Sequence, residues 1–161
     1  MLVSNSSTLI LIAKTNLLPK FLDVVKNVFI TNVVYKEIVK KDSFENLAIK
    51  KEIEKGRIKV ELVEEMQYLG ILKQFKMDEG EASTFALCVK KKYKGVLTDD
   101  KELIKLCKIE NIPFMSAMAI AVILFKKKTL DKNEALEKME KLQGYGRYSN
   151  EVYNYFRNKV N

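Results

Sequence analysis

Acidic side chains gather at Asp78, Glu79, Glu81, Asp99, Asp100 and Glu102, within "MDEGEASTFALCVKKKYKGVLTDDKEL" (77 to 103), in a chain of formal net charge +8. Histidine is absent, which removes Ser-His-Asp and Cys-His nucleophile systems, imidazole bases and His-containing zinc sites. Carboxylates are the groups left for catalysis, and oxygen-only ligand sets suit hard cations such as Mg²⁺ or Mn²⁺. Both stretches also have a structural use. Asp78-x-x-Glu81 and Asp99-x-x-Glu102 carry the spacing of an Asp form of the capping box, and acids in a first turn stabilise the helix they open.

Glu37 does not fit that use. In "NVVYKEIVK" a helical repeat sets it between Val33, Val34 and Ile38, on the apolar arc, so its carboxylate is expected to face inward. A buried, unpaired charge costs on the order of several kcal/mol, so Glu37 needs a partner cation or a place in a ligand site.

The elements that would position these groups alternate. Apolar, β-rich runs at "MLVS" (1 to 4), "VFIT" (28 to 31), "IKVELV" (58 to 63), "GVLT" (95 to 98) and "IPFM" (112 to 115) are separated by helical periods. The pattern predicts an α/β fold, a three-layer αβα sandwich around a short parallel sheet of four or five strands. Ligands of such folds sit beyond the carboxyl ends of the strands, where Asn5-Ser6-Ser7 and Thr98-Asp99-Asp100 follow the first and fourth runs. Glu81 lies at the shoulder of the stripe made by Ala82, Phe85, Ala86 and Val89, and so leans towards the same cleft.

Helices are also expected after "TDD", with Leu103, Ile104, Leu106 and Cys107 inward, and in "SAMAIAVILFKKK", "DKNEALEKMEKLQ" and "NEVYNYFRNKV", with Asp131 and Ser149 as N-caps. The segment 115 to 125 is apolar almost all round, as in a helix buried within the core or across a subunit interface. It is also much shorter than the roughly 20 residues of a bilayer span.

With 161 residues, 47% of them hydrophobic, and no linker, repeat or low-complexity tract, a single domain over 1 to 161 is expected. Two cysteines outside any CxxC spacing read as small core hydrophobes in a reducing compartment, and no basic leader precedes an apolar run, so a cytoplasmic protein is expected. The lysine excess is compatible with an anionic partner such as nucleic acid.

These residues together resemble the PIN domain, the small metal-dependent nuclease fold that includes the VapC-type toxins of prokaryotic toxin–antitoxin pairs. The resemblance rests on "LVSNSSTLILIAK" as first strand and turn, "ITNVVYKEIVK" with its interior Glu, "GEASTFALC" and "GVLTDDKEL". It implies an endoribonuclease that cleaves single-stranded RNA with Mg²⁺ or Mn²⁺ held by Asn5, Glu37, Glu81 and Asp99 or Asp100. By the same resemblance Ser7 is the small hydroxyl residue beside the first ligand, and Ser116 lines the cleft. The family usually has Asp at the first position; Asn5 offers a carbonyl oxygen without the negative charge. A small antitoxin and a homodimer are the implied protein partners.

For RNA, Lys14, Lys40, Lys41 and Lys90 to Lys92 are candidates to follow the backbone, and Tyr145, Arg147, Tyr148, Tyr153 and Tyr155 to meet bases. The competing expectation is that Tyr148, Val152, Tyr155 and Phe156 dock the last helix. Two other functions compete with this one. A degenerate, non-cleaving RNA-binding or partner-binding module accommodates Asn5. A phosphorylation receiver requires its acidic pair after an early strand, an order this chain lacks.

Overall fold

The computed structural model describes residues 1 to 146 and 148 to 161; Arg147 lies outside them. Five strands form one sheet: β1 (Leu2–Ser4), β2 (Val28–Thr31), β3 (Ile58–Glu61), β4 (Gly95–Leu97) and β5 (Phe114–Met115). Their order is β3-β2-β1-β4-β5, with every pairing parallel. The chain therefore winds outward from β1 to β3, then returns to the other side of β1 and winds out again. The crevice where such a sheet reverses lies between β1 and β4, and Ser4 is in register with Leu97.

Two hydrophobic cores cover the two faces, because alternate residues of each strand point to opposite sides. One contains Val28, Ile30 and Leu97 with Leu9, Ile12, Phe21 and Met118. The other contains Val3, Phe29 and Val96 with Ala82, Phe85, Leu103 and Cys107. Helices α1 (Ser6–Lys14), α2 (Leu18–Val24), α8 (Ala117–Lys126) and α9 (Lys132–Tyr145) build the first layer, and α6 (Glu79–Lys91) and α7 (Lys101–Ile109) the second. The result is the expected three-layer α/β sandwich.

Helix α3 (Asn32–Val39) contributes Val34 and Ile38 to the first core while Val33 packs on the second, so it bridges the layers at the sheet's carboxyl edge. Helix α4 (Phe44–Glu54) packs on α1 and α3, and a 3-10 turn, Glu65–Gln67, leads into α5 (Leu69–Gln74) beside α6. Asp131 caps α9 and Ser149 caps α10 (Asn150–Asn158), as expected from sequence.

Several expectations are sharpened. The run 58 to 63 stops pairing at Glu61, after which Leu62 is 68% exposed. The run 112 to 115 keeps only two residues in the sheet: the Ile112 amide donates to the Cys107 carbonyl at the end of α7, and Pro113 has no amide to give. Helix α8 is covered by its own chain, by α1, α2, α9 and α10, which answers the core-or-interface alternative in favour of the core. Tyr148, Tyr153 and Phe156 pack against the first core, whereas Val152 and Tyr155 are exposed, so the docking face of α10 is offset from the one expected.

Cys88 and Cys107 are free and buried, with burial pushing their thiols up to about 11 and about 12. They are inert packing groups. No described helix is long and apolar enough to cross a membrane.

Candidate active site at the carboxyl edge of β1 and β4

Asn5 is the first residue beyond β1, and its amide donates to the Leu97 carbonyl of β4. Its side chain is 2% exposed and used at both ends: Oδ1 accepts from the Thr8 amide, capping α1, and Nδ2 donates to Thr98 Oγ1 at 3.1 Å. Because a backbone N–H must face an acceptor, the amide orientation is fixed with its NH₂ towards Thr98. Thr98, fully buried, also accepts from the Asp100 amide at 3.0 Å. A chain of hydrogen bonds thus ties the end of β1 to the acidic turn after β4.

The two adjacent acids of that turn part company. Asp100 caps α7, its Oδ1 accepting from the Leu103 amide at 2.8 Å, while its carboxyl group also lies against Glu81. Asp99 faces the other way, where Oδ1 accepts from the Tyr148 hydroxyl at 2.5 Å and Oδ2 from the Ala117 amide at 3.2 Å. Its own amide donates to Thr8 Oγ1 at 2.9 Å. Burial raises the Asp99 carboxyl above the usual carboxylate range, and the bonds from Tyr148, Ala117 and Thr8 pull it back. The expected capping box at Asp99 and Glu102 does not form, because Asp100 takes the N-cap position one residue later.

Glu81 keeps both functions offered by its spacing. Asp78 Oδ1 accepts from the Glu81 amide and Glu81 Oε2 from the Asp78 amide, at 2.8 and 3.0 Å, which completes the capping box of α6. Burial, opposed by the bond from the Asp78 amide, and then the charges of Asp78 and Asp100 push the Glu81 carboxyl up to about 7. Crowded carboxylates of this kind are relieved by a cation.

Glu37 reaches the same edge from α3. Its Oε2 accepts from Ser6 Oγ at 2.6 Å, directly beside Asn5, and a Cβ on Gly80 would overlap its carboxylate. Glycine at 80 therefore lets Glu37 rest on the first turn of α6, whose positive dipole end favours an anion. Burial raises the Glu37 carboxyl, the Ser6 bond lowers it, and Asp78 adds to the rise while Lys40 reduces it. The sequence placed Ser6 at this edge without giving it a role, and Gly80 escaped the reading; a small residue between two acids of "DEGE" was the available signal for Gly80.

Asn5, Glu81 and Asp100 thus share one edge with Glu37 close by on Ser6, while Asp99, on the second cleft, is engaged by Tyr148 and Ala117. Ser7 is exposed beside Asp100, and Ser116 caps α8, its hydroxyl accepting from the Ala119 amide. Two open clefts flank the acids. One, of about 510 Å³, includes Lys36, Glu37, Lys40, Tyr68 and Glu79. The other, of about 400 Å³, runs along α1 past Asp100 to Lys14 and Tyr145. Lys90, Lys91 and Lys92 do not reach either: α6 is 13 residues long, about 20 Å at 1.5 Å per residue, and they end it at the far edge of the sheet.

Carboxylate and carbonyl oxygens are the right donors for a hard divalent cation. Among the described residues no three acidic, cysteine or histidine side chains are gathered closely enough to enclose one. The pair Glu81 and Asp100 could hold such an ion, with the Glu37 carboxylate beside the first turn of α6 next to them.

Comparison with known families gives one finding: the DUF3368 family model, a PIN domain, matches residues 1 to 161. No curated protein matches the chain significantly.

Proposed function

The chain belongs to the PIN-domain family, whose members are generally nucleases, and from that premise we propose that it is a divalent-metal-dependent endoribonuclease acting on single-stranded RNA. The observation that carries the reading is the approach of the Glu81 carboxyl to that of Asp100, whose turn Thr98 ties to Asn5, at the reversal point of the sheet. Two carboxylates pressed together at a ligand-binding edge cost stability unless a cation makes use of them.

In this reading Glu81 and Asp100 hold Mg²⁺ or Mn²⁺, with Glu37 as the third carboxylate and Asn5 positioning the turn from behind. A bound ion supplies polarisation of the phosphoryl oxygens and a more acidic water. The chain's own groups supply the rest. One of the acids at this edge would take up the proton of the attacking water. Thr98 and the α7 N-cap hold Asp100 in place, and Lys14, in the cleft along α1, draws the strand across the acids. Cleavage of a labelled single-stranded RNA with added Mn²⁺, lost in chelator and in Glu81→Gln, supports the reading; cleavage by Glu81→Gln at the wild-type rate refutes it.

A toxin role, with a small antitoxin as partner and a homodimer as the working form, belongs to the VapC-type version of this proposal. It is tested by growth arrest on expression in a bacterial host, abolished by Asp100→Asn. The second reading is a non-cleaving RNA-binding or partner-binding module. It is favoured by one specific observation: Asn5 carries no charge and its amide is bonded at both ends, to Thr98 and to the Thr8 amide, so the first position holds a cation less strongly than an aspartate would. Metal-independent RNA binding without cleavage would select it.

A further inference from the structure

The two clefts beside the acids differ in how their charges are arranged. In the first, Lys36 and Lys40 are intermixed with Glu37, Glu64, Glu65 and Glu79, a lining that repels a phosphate backbone along much of its length. In the second, the acids stand at one end only, where Asp99 is already bonded to Tyr148 and Ala117, and Asp100 belongs to the site. Its floor is the apolar pair Ile10 and Leu11, and its outer end is formed by Lys14 and Tyr145.

Those outer residues are arranged together. The Lys14 ammonium stands 4.9 Å from the centroid of the Tyr145 ring, and the ring is 54% exposed at the last turn of α9. A cation held against an aromatic face, above an apolar floor, offers a phosphate contact and a stacking surface in one place. From Ser7 to Lys14 is seven residues of α1, or about 10 Å, so a short stretch of single strand spans from the acids to the ammonium.

We infer that this cleft seats an unstacked nucleotide of the RNA strand next to the scissile phosphate, its base on Tyr145 over Ile10 and Leu11 and its outward phosphate on Lys14. The inference rests on the proposed RNA substrate and adds the groups that hold it. Stacking on Tyr145 tolerates any base, so affinity here is largely independent of sequence.

The test is binding of a fluorescein-labelled uridine hexaribonucleotide to the full chain in chelator, by anisotropy over a range of salt. Tyr145→Ala is expected to weaken binding by about 5- to 100-fold, and Tyr145→Phe to stay within about twofold of wild type because the stacking face remains. Lys14→Gln is expected to weaken binding and to reduce the slope of log K against log salt by about 0.7. Lys91→Gln, at the far end of α6, leaves that slope unchanged. Wild-type affinity in Tyr145→Ala, or an unaltered slope in Lys14→Gln, overturns the inference even if the protein cleaves RNA. Wild-type binding that depends on Tyr145 and Lys14 but is never followed by cleavage with Mn²⁺ supports the inference and refutes the proposed reaction. No binding by wild type overturns the inference, and cleavage with Mn²⁺ then decides the reaction separately.

Discussion

Glu81→Gln in the metal-free protein tests the central electrostatic feature of the site without reference to activity. The wild-type carboxyl titrates from an ordinary 4.5 up to about 7 in the fold, so between those values the folded state holds a proton that the unfolded chain has lost. Stability therefore falls as pH rises through that window, since the slope follows the protons bound in the unfolded state minus those in the native state. The full span of roughly 2.5 pH units corresponds to about 3 kcal/mol at 1.36 kcal/mol each. Glu81 is only half-buried, and solvent screening reduces the realised penalty to about 1 kcal/mol. Glutamine keeps the capping acceptor for the Asp78 amide and removes the charge. Glu81→Gln is expected to melt about 2 to 4 °C above wild type near pH 8, and with wild type below about pH 4.5, where both carry a neutral side chain. Differential scanning calorimetry in chelator measures both. Equal melting at the two pH values, or destabilisation at both, refutes the reasoning. With excess Mn²⁺ near pH 8 the order reverses, because only the wild type gains binding free energy.

Other perturbations separate the remaining roles. Gly80→Ala pushes the Glu37 carboxylate off the first turn of α6 and is expected to lower cleavage about 100-fold, with the circular-dichroism spectrum unchanged; wild-type cleavage by this variant removes Glu37 from the site. Tyr148→Phe leaves a buried Asp99 oxygen without its hydroxyl donor and is expected to cost about 1 to 3 kcal/mol in urea unfolding. Asn5→Asp keeps the cap on α1 but loses the amide donor to Thr98. It is expected to lower stability by about 1 kcal/mol and, by adding a charge beside Asp100, to tighten Mn²⁺ binding measured by calorimetry.

The layers of the fold were legible because the strand-like runs alternate with helical periods, and "VFIT" became Val28–Thr31 without adjustment. Edge strands were less legible, since nothing in "IPFM" announces that the Ile112 amide closes α7. At the site, sequence placed Asn5, Glu37, Glu81 and the Asp99–Asp100 pair on one edge by their position after strands or on a helix arc. It could not divide the pair. Consecutive residues leaving a strand point to opposite sides, and the group that claims Asp99 is Tyr148, 49 residues later. Likewise the partner of Glu37 is Ser6, 31 residues earlier, and only the folded chain brings them together. Arg147, one of the residues expected to meet RNA, lies outside the described structure.

The most direct measurement of the central claim is cleavage of a labelled single-stranded RNA by Asp100→Asn beside wild type, with Mn²⁺ present. Asparagine is as good an N-cap as aspartate, so α7 and the fold are retained while the carboxylate paired with Glu81 is lost. Cleavage by wild type that is metal-dependent and falls at least about 100-fold in Asp100→Asn is the result predicted. Cleavage by Asp100→Asn at the wild-type rate, or by wild type in chelator, contradicts the assignment of Glu81 and Asp100 as the metal-holding pair.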